Sequence, residues 1–133
     1  MLNKSSLIIV VLIVLLSGCD STKTKTSDKK QVHHIVLFWL KDSGNQAQRQ
    51  EIIEKSFSLC KISEVINVST GEVIPSERKI VDDSFDVGIT VSFANKDDMN
   101  AYTKHKIHND FVEEITPLLE KAVVYDYNVN ISQ

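Results

Sequence analysis

The chain has 133 residues, a formal net charge of −3, 25% charged residues and 42% apolar ones. That length allows one domain, and a near-neutral balance without a basic face gives nucleic-acid binding no support. Two prolines and four glycines are too few for a loop-dominated or disordered chain.

The first eighteen residues stand apart from the rest. "MLNKSS" is short and weakly basic, and the ten residues from Leu7 to Leu16 are unbroken apolar. Ten residues rise only about 15 Å as a helix against a hydrocarbon core of about 30 Å, so the run fits a secretory signal rather than a spanning helix. "LSGC", Leu16 to Cys19, resembles the lipobox of bacterial lipoproteins. The resemblance implies cleavage before Cys19 and acyl chains such as palmitate on that cysteine, and more than one chain anchors durably. Asp20 resembles the inner-membrane retention signal of enterobacterial lipoproteins. The expected organisation is a signal peptide over 1–18, lipidated Cys19 and a flexible polar tether over 19–30, and a folded domain over 31–133. Such a protein is held on the membrane of the bacterial cell envelope and faces the periplasm, at the inner membrane if Asp20 acts as that signal.

Within the domain, "VHHIVLFWLK" is rich in β-branched and aromatic residues. Ile35 to Leu40 are consecutively apolar, as in a strand covered on both faces. Ser43 is a candidate cap for a first helix whose apolar stripe reads Ile52, Ile53, Phe57 and Cys60. With Cys19 committed to lipid, Cys60 is left alone and is read as a buried core thiol. A strand of middling strength is predicted over 64–74 and a charged loop over 75–84. Phe85, Val87, Ile89, Val91 and Phe93 alternate and predict a strand over 84–94. Asn95 with Asp98 three later opens a second helical region that runs to about Leu119, and Pro117 can begin its last turn. "AVVYDYNVNI", 122 to 131, is the final strand.

The order β-α-β-β-α-β is the split βαβ, or ferredoxin-like, arrangement of an α+β protein. It gives a four-stranded antiparallel sheet with the helices on one face. The other sheet face then needs a cover, and a second copy of the same sheet is the economical one. His33 points to that face, as Trp39 and Tyr125 can. No internal repeat, phosphate-binding glycine loop, G-x-S-x-G or C-x-x-C motif is present in the sequence.

"HHIVLFWLKD", "FDVGITVSFANKDDMNAYTKHKIHNDF" and "PLLEKAVVYDYNV" together resemble the stress-responsive A/B barrel (Dabb) family over residues 32–129. The resemblance implies a dimeric α+β barrel, two ferredoxin-like protomers joined sheet to sheet. One plant branch, the polyketide cyclases of the olivetolic-acid type, performs an aldol cyclisation without metal or organic cofactor, so no cofactor is expected here. Carried over residue by residue, the branch's catalytic groups fall on His34, Tyr102 and His108, with His105 between the last two and nearer the rim. Its apolar wall falls on Val36, Phe38, Ile52, Ile53, Phe111 and Val124. Lys106 stands where the family commonly has proline, and Val87 where the plant branch has a polar residue.

The residue types suit that chemistry. His108 is the expected base, with Tyr102 and His34 positioning the substrate, since imidazole works as a general base near neutral pH with little tuning, provided it lies within about 3 Å of the proton it removes. Tyr102 and His108, six apart, do not share a face of one unbroken helix, so their convergence requires a break near His105. His105 and His108 alone are too few for zinc, which takes three or four protein ligands, and the nearest acids, Asp110 and Glu113, are ordinary helix-surface residues, so no metal is assigned. Asp126, among apolar strand residues, can pair with a basic group that the sequence does not name. Two functions stay open: a domain that binds a small apolar molecule and does acid/base chemistry on it, and a non-enzymatic dimeric module for envelope stress or partner binding.

Overall fold

A computed structural model describes residues 29–131. The signal peptide, Cys19, Asp20 and nearly all of the tether lie outside the described residues. The β-branched run at the domain's start forms β1, Lys29–Leu40. Next come α1, Gln46–Ser56, with a 3-10 turn over Phe57–Lys61, and the hairpin strands β2, Val65–Glu72, and β3, Val87–Phe93. The second helical region is two helices, α2, Lys96–Tyr102, and α3, Lys106–Ile115, and a 3-10 turn over Thr116–Leu118 leads into β4, Leu119–Ile131. Among the described residues, no helix is long and apolar enough to cross a membrane.

The strands form one antiparallel sheet in the order β2-β3-β1-β4, the ferredoxin-like order. β3 is central, and Val87, Ile89, Val91 and Phe93 along it are all buried. In β1 the pleat puts Val32, His34, Phe38 and Leu40 under the helices, buried, and leaves His33, Ile35, Leu37 and Trp39 half-buried on the outer face. The unbroken apolar run therefore holds two surfaces of different standing, a finished core and an apolar face without cover among the described residues.

Two details of α1 differ from the sequence expectation. Its cap is Asn45, whose side chain accepts a hydrogen bond from the Gln48 N–H, and not Ser43, because Gly44 at φ +81° turns the chain once more before the helix starts. Its buried stripe is Ile52, Ser56 and Leu59, so Phe57 and Cys60 face solvent. Two adjacent apolar residues, Ile52 and Ile53, let the stripe be drawn in either phase, and only packing selects Ile52. Cys60 is accordingly an exposed free thiol and not a core residue.

A buried acid ties this end of the sheet together. The side chain of Asp86, just ahead of β3, is fully buried and accepts hydrogen bonds from the Leu40 N–H (2.9 Å), the Gly44 N–H (2.8 Å) and the Arg49 guanidinium (2.7 Å). Burial pushes its carboxyl up, but the two backbone donors and Arg49 outweigh burial and hold it below its ordinary value. One carboxylate thus joins the end of β1, the turn after it, α1 and the start of β3.

The second helical region opens as predicted, with the Asn95 side chain accepting from the Asp98 N–H. It breaks after Tyr102. The His105 backbone is extended (φ −71°, ψ 140°), and its Nδ1 accepts from the Ile107 N–H at 3.1 Å, which caps α3. Pro117 sits in the last 3-10 turn, where its missing N–H costs nothing.

Candidate functional site

The β1–β4 half of the sheet and α3 enclose a cavity of about 320 Å³. Its lining is mostly apolar, with Val36, Phe38 and Val124 from the sheet and Phe111 and Ile115 from α3. β4 is an edge strand, and Val124 on its inner face stays 50% exposed, so the cavity opens along that edge. His34, Tyr102, Thr103 and His108 supply the polar end.

Each of these side chains arrives by a different local rule. His34 takes the inner face through the two-residue period of β1. Tyr102 is the last residue of α2 and is buried. The break at Thr103–His105 resets the helical phase, so that His108 on α3 turns back toward it. The Tyr102 ring lies edge-on to His108, 4.6 Å between centroids, and edge-on to His34 at 5.8 Å. His34, Tyr102 and His108 therefore meet at one end of the cavity.

The partner of His34 is Asp126. The two face each other across β1 and β4, and His34 Nδ1 lies 2.6 Å from Asp126 Oδ1. An ionised carboxylate can only accept, so Nδ1 is the donor of this bond, and in the corresponding neutral tautomer Nε2 carries the lone pair. Burial pushes the His108 imidazole below its ordinary value. Contacts with Asn109 and the Thr103 backbone oppose that shift, and nearby His34 adds to it. Burial pushes the Tyr102 phenol well above its ordinary range, so the hydroxyl stays protonated as a donor. The arrangement comprises an oriented imidazole, a second imidazole held toward its neutral form and a protonated phenol around one apolar space. It can bind an oxygen-bearing molecule and move a proton on it.

Of the residues expected in the site, Val36, Phe38, Phe111 and Val124 line the cavity with His34, Tyr102 and His108. Ile52, Ile53 and His105 do not. Ile52 is fully buried in the core and Ile53 packs against that core, because α1 covers the β2–β3 half of the sheet more than the cavity half. The His105 ring is turned to its own backbone as the α3 cap. Thr103 and Ala122 escaped the sequence reading, and Asp126 was singled out there without its partner. For Asp126 the signal was present as an acid within an apolar strand, but its partner depends on the β1–β4 register. A larger open groove of about 520 Å³ lies between α1 and α3 beside Phe57. The Lys55–Glu114 ion pair (2.6 Å) flanks it and no histidine lines it, so the smaller cavity is the candidate site.

Fold and site together define a ferredoxin-like α+β domain with a histidine/tyrosine cavity under its sheet. The sequence profile of the Stress responsive A/B Barrel Domain (Dabb) matches residues 32–129. The chain belongs to this family. Among solved structures it is similar to a hydroxynitrile lyase from Passiflora edulis, 24% identical over 79% of this chain and 98% of that one, TM-score 0.66. It is also similar to a dimeric ferredoxin-like protein of unknown function from Thermobifida fusca (22% identical, 75% and 92% covered, TM-score 0.62). A Dabb family protein with a ferredoxin-like fold from Mesorhizobium loti is 22% identical, with 77% and 99% covered and a TM-score of 0.61. No curated protein matches the chain. Likenesses at these identities carry the fold.

Proposed function

We propose that the cavity binds a small, largely apolar molecule carrying a carbonyl or hydroxyl group, and that it catalyses proton transfer on that molecule without a cofactor. The observation that carries this reading is the His34–Asp126 pair aimed at the same apolar space as Tyr102 and His108. His34 takes the proton from a hydroxyl, or from a carbon next to a carbonyl. Asp126 holds the ring's tautomer and stabilises the imidazolium that forms, while Tyr102 donates to the substrate oxygen. The base role thereby moves from His108, the sequence-based choice, to His34. The Passiflora edulis neighbour is a lyase of hydroxynitriles, which supports an aldol-type class of reaction. The test is a panel of small aldehydes, ketones and cyanohydrins added to labelled protein while the histidine ring signals are followed by NMR. Compounds that bind should move His34 and His108 together, and a panel that moves neither would remove the reading.

The same domain pairs with a second copy through its outer sheet face. Ile35, Leu37, Trp39 and Val123 lie there beside Tyr125, which is 56% exposed, and a stable homodimer would bury about 800 Å² on each copy. Tyr125→Asp is expected to convert a dimer to a monomer in sedimentation analysis, with the circular dichroism spectrum unchanged. That uncovered apolar face also supports the second reading, a non-enzymatic dimeric module for envelope stress. A lipid on Cys19 holds the protein to a bacterial membrane on its periplasmic side, the inner membrane by Asp20. Cys19→Ser should then leave the protein in the soluble fraction, and continued membrane pelleting of that variant would refute the anchor.

A further inference from the structure

The loop between β2 and β3, residues 73–86, presents two almost bare isoleucines, Ile74 at 82% and Ile80 at 86% exposure. Large apolar side chains this exposed are common on slack loops, but this loop is braced. The Ser76 N–H donates to Asp83 (2.7 Å), the Val81 N–H to the Arg78 carbonyl (2.9 Å), and the Val73 N–H to the Asp86 carbonyl (3.2 Å). The Ser84 N–H and hydroxyl both donate to Asp82. A structured loop that holds two isoleucines in water has apolar surface ready for a partner.

The root of the loop is part of the outer sheet face. Trp39 Nε1 donates to the Ser84 hydroxyl at 3.0 Å, and the Phe85 ring stands edge-on to Trp39 at 6.2 Å between centroids. Phe85 and Leu37 both approach Gly88 on that same face. The apolar surface of the outer face therefore extends from Leu37 and Trp39 to Phe85, at the root of the loop that carries the two isoleucines.

We infer that the 73–86 loop is an arm that reaches over the edge of the face-to-face dimer and seats Ile74 and Ile80 on the second copy. This rests on the sheet-face dimer proposed above and adds the contact that lies beyond the sheet. A membrane is the weaker occupant on two grounds. Glu77, Asp82 and Asp83 outnumber Arg78 and Lys79, so the loop has no net attraction for anionic lipid. The loop also leaves the sheet at Val87, opposite Phe38, whereas the segment before Lys29 enters at the other end of β1, roughly 30 Å away at 3.3 Å per residue. An anchor there attaches at the end of the sheet away from the arm and so does not itself bring the arm to the bilayer. A two-fold dimer also gives each arm an identical seat on its neighbour, so every substitution acts twice.

The test compares the full chain in mild detergent with Ile74→Ser, Ile80→Ser and the double variant by sedimentation equilibrium. Tyr125→Asp serves as the sheet-face control, and binding to phosphatidylglycerol vesicles is measured alongside in the unlipidated Cys19→Ser background. Both isoleucines are solvent-exposed in the protomer, so the serine variants should keep the wild-type melting temperature of a dissociated protomer. Each single variant is expected to weaken the dimer by about a hundredfold, the product of two roughly tenfold losses of one apolar contact. If Tyr125→Asp dissociates the dimer while the isoleucine variants keep the wild-type dissociation constant, the arm is overturned and the sheet dimer stands. If the isoleucine variants lose only vesicle binding, the surface faces lipid and the arm is equally overturned. A wild-type chain that is monomeric throughout removes the dimer and the arm with it.

Discussion

Asp86→Asn is expected to lower the unfolding free energy by about 3 kcal/mol or more, the typical cost of removing one partner of a buried charge pair. The asparagine keeps the shape and loses the chemistry. Asp86 Oδ2 accepts from Leu40 and Oδ1 from Gly44 and Arg49, so either placement of an amide NH₂ points a donor at a donor. For a domain of about 100 residues each kcal/mol shifts the melting temperature by roughly 4–8 °C, so the variant should melt more than about 10 °C below wild type. Glu77→Gln, in the exposed loop, should stay within about 0.5 kcal/mol. The pH dependence has a fixed sign. Asp86 is held below its ordinary value of 3.8, so its share of stability is complete above that value and is lost as pH falls through the lower, folded one. The difference between wild type and Asp86→Asn should therefore shrink in acid. An unchanged melting temperature at neutral pH would show that Asp86 ties nothing together.

Once a turned-over compound is known, His34→Ala is expected to reduce the rate by about a hundredfold to ten-thousandfold, the range for loss of a general base. Asp126→Asn should cost nearly as much, because its amide cannot stabilise the imidazolium, and the double variant should be little worse than either single one. That non-additivity separates a working pair from two independent residues. Tyr102→Phe removes the oxygen donor alone, at an expected cost of about a hundredfold. His108 provides the contrary outcome: if His108→Ala abolishes turnover and His34→Ala spares it, the roles assigned here are reversed. His108 is also expected to titrate below its ordinary 6.5 when its ring signal is followed by NMR, since burial disfavours its charged form. Its depressed value acts in the same direction as that of Asp86, at higher pH. The fold loses this contribution as pH falls below 6.5, where the unfolded ring takes up a proton and the buried one resists.

The strand order and the helix break were legible because they rest on local rules. The alternation of β3, the apolar run of β1 and the Asn95 cap each survive whatever packs against them. The break at His105 was deduced from a geometric requirement on Tyr102 and His108, and the chain meets it by using the His105 ring itself as a cap. The misreadings share a different cause. Whether Cys60 is inside or outside depends on the rotational phase of α1, and a helix carrying Ile52 and Ile53 side by side admits two phases. Asp86 was not singled out at all, and Asp126 was visible as an acid within a strand. Their partners lie 37 and 92 positions away, and such pairings depend on register rather than on pattern.

The pairing of His34 with Asp126 also fixes when the site can exist. β1 is among the first elements synthesised, but its two neighbours are β3 and β4, so it waits for most of the chain before either side is paired. Contacts of such sequence separation form late and slowly. No shorter N-terminal fragment can hold the His34–Asp126 pair or the wall that Ala122 and Val124 give the cavity. The acid/base pair is thus a property of the finished molecule. A chain that stalls before its last strand lacks the pair and one wall of the cavity, so the site is assembled only by the last residues made.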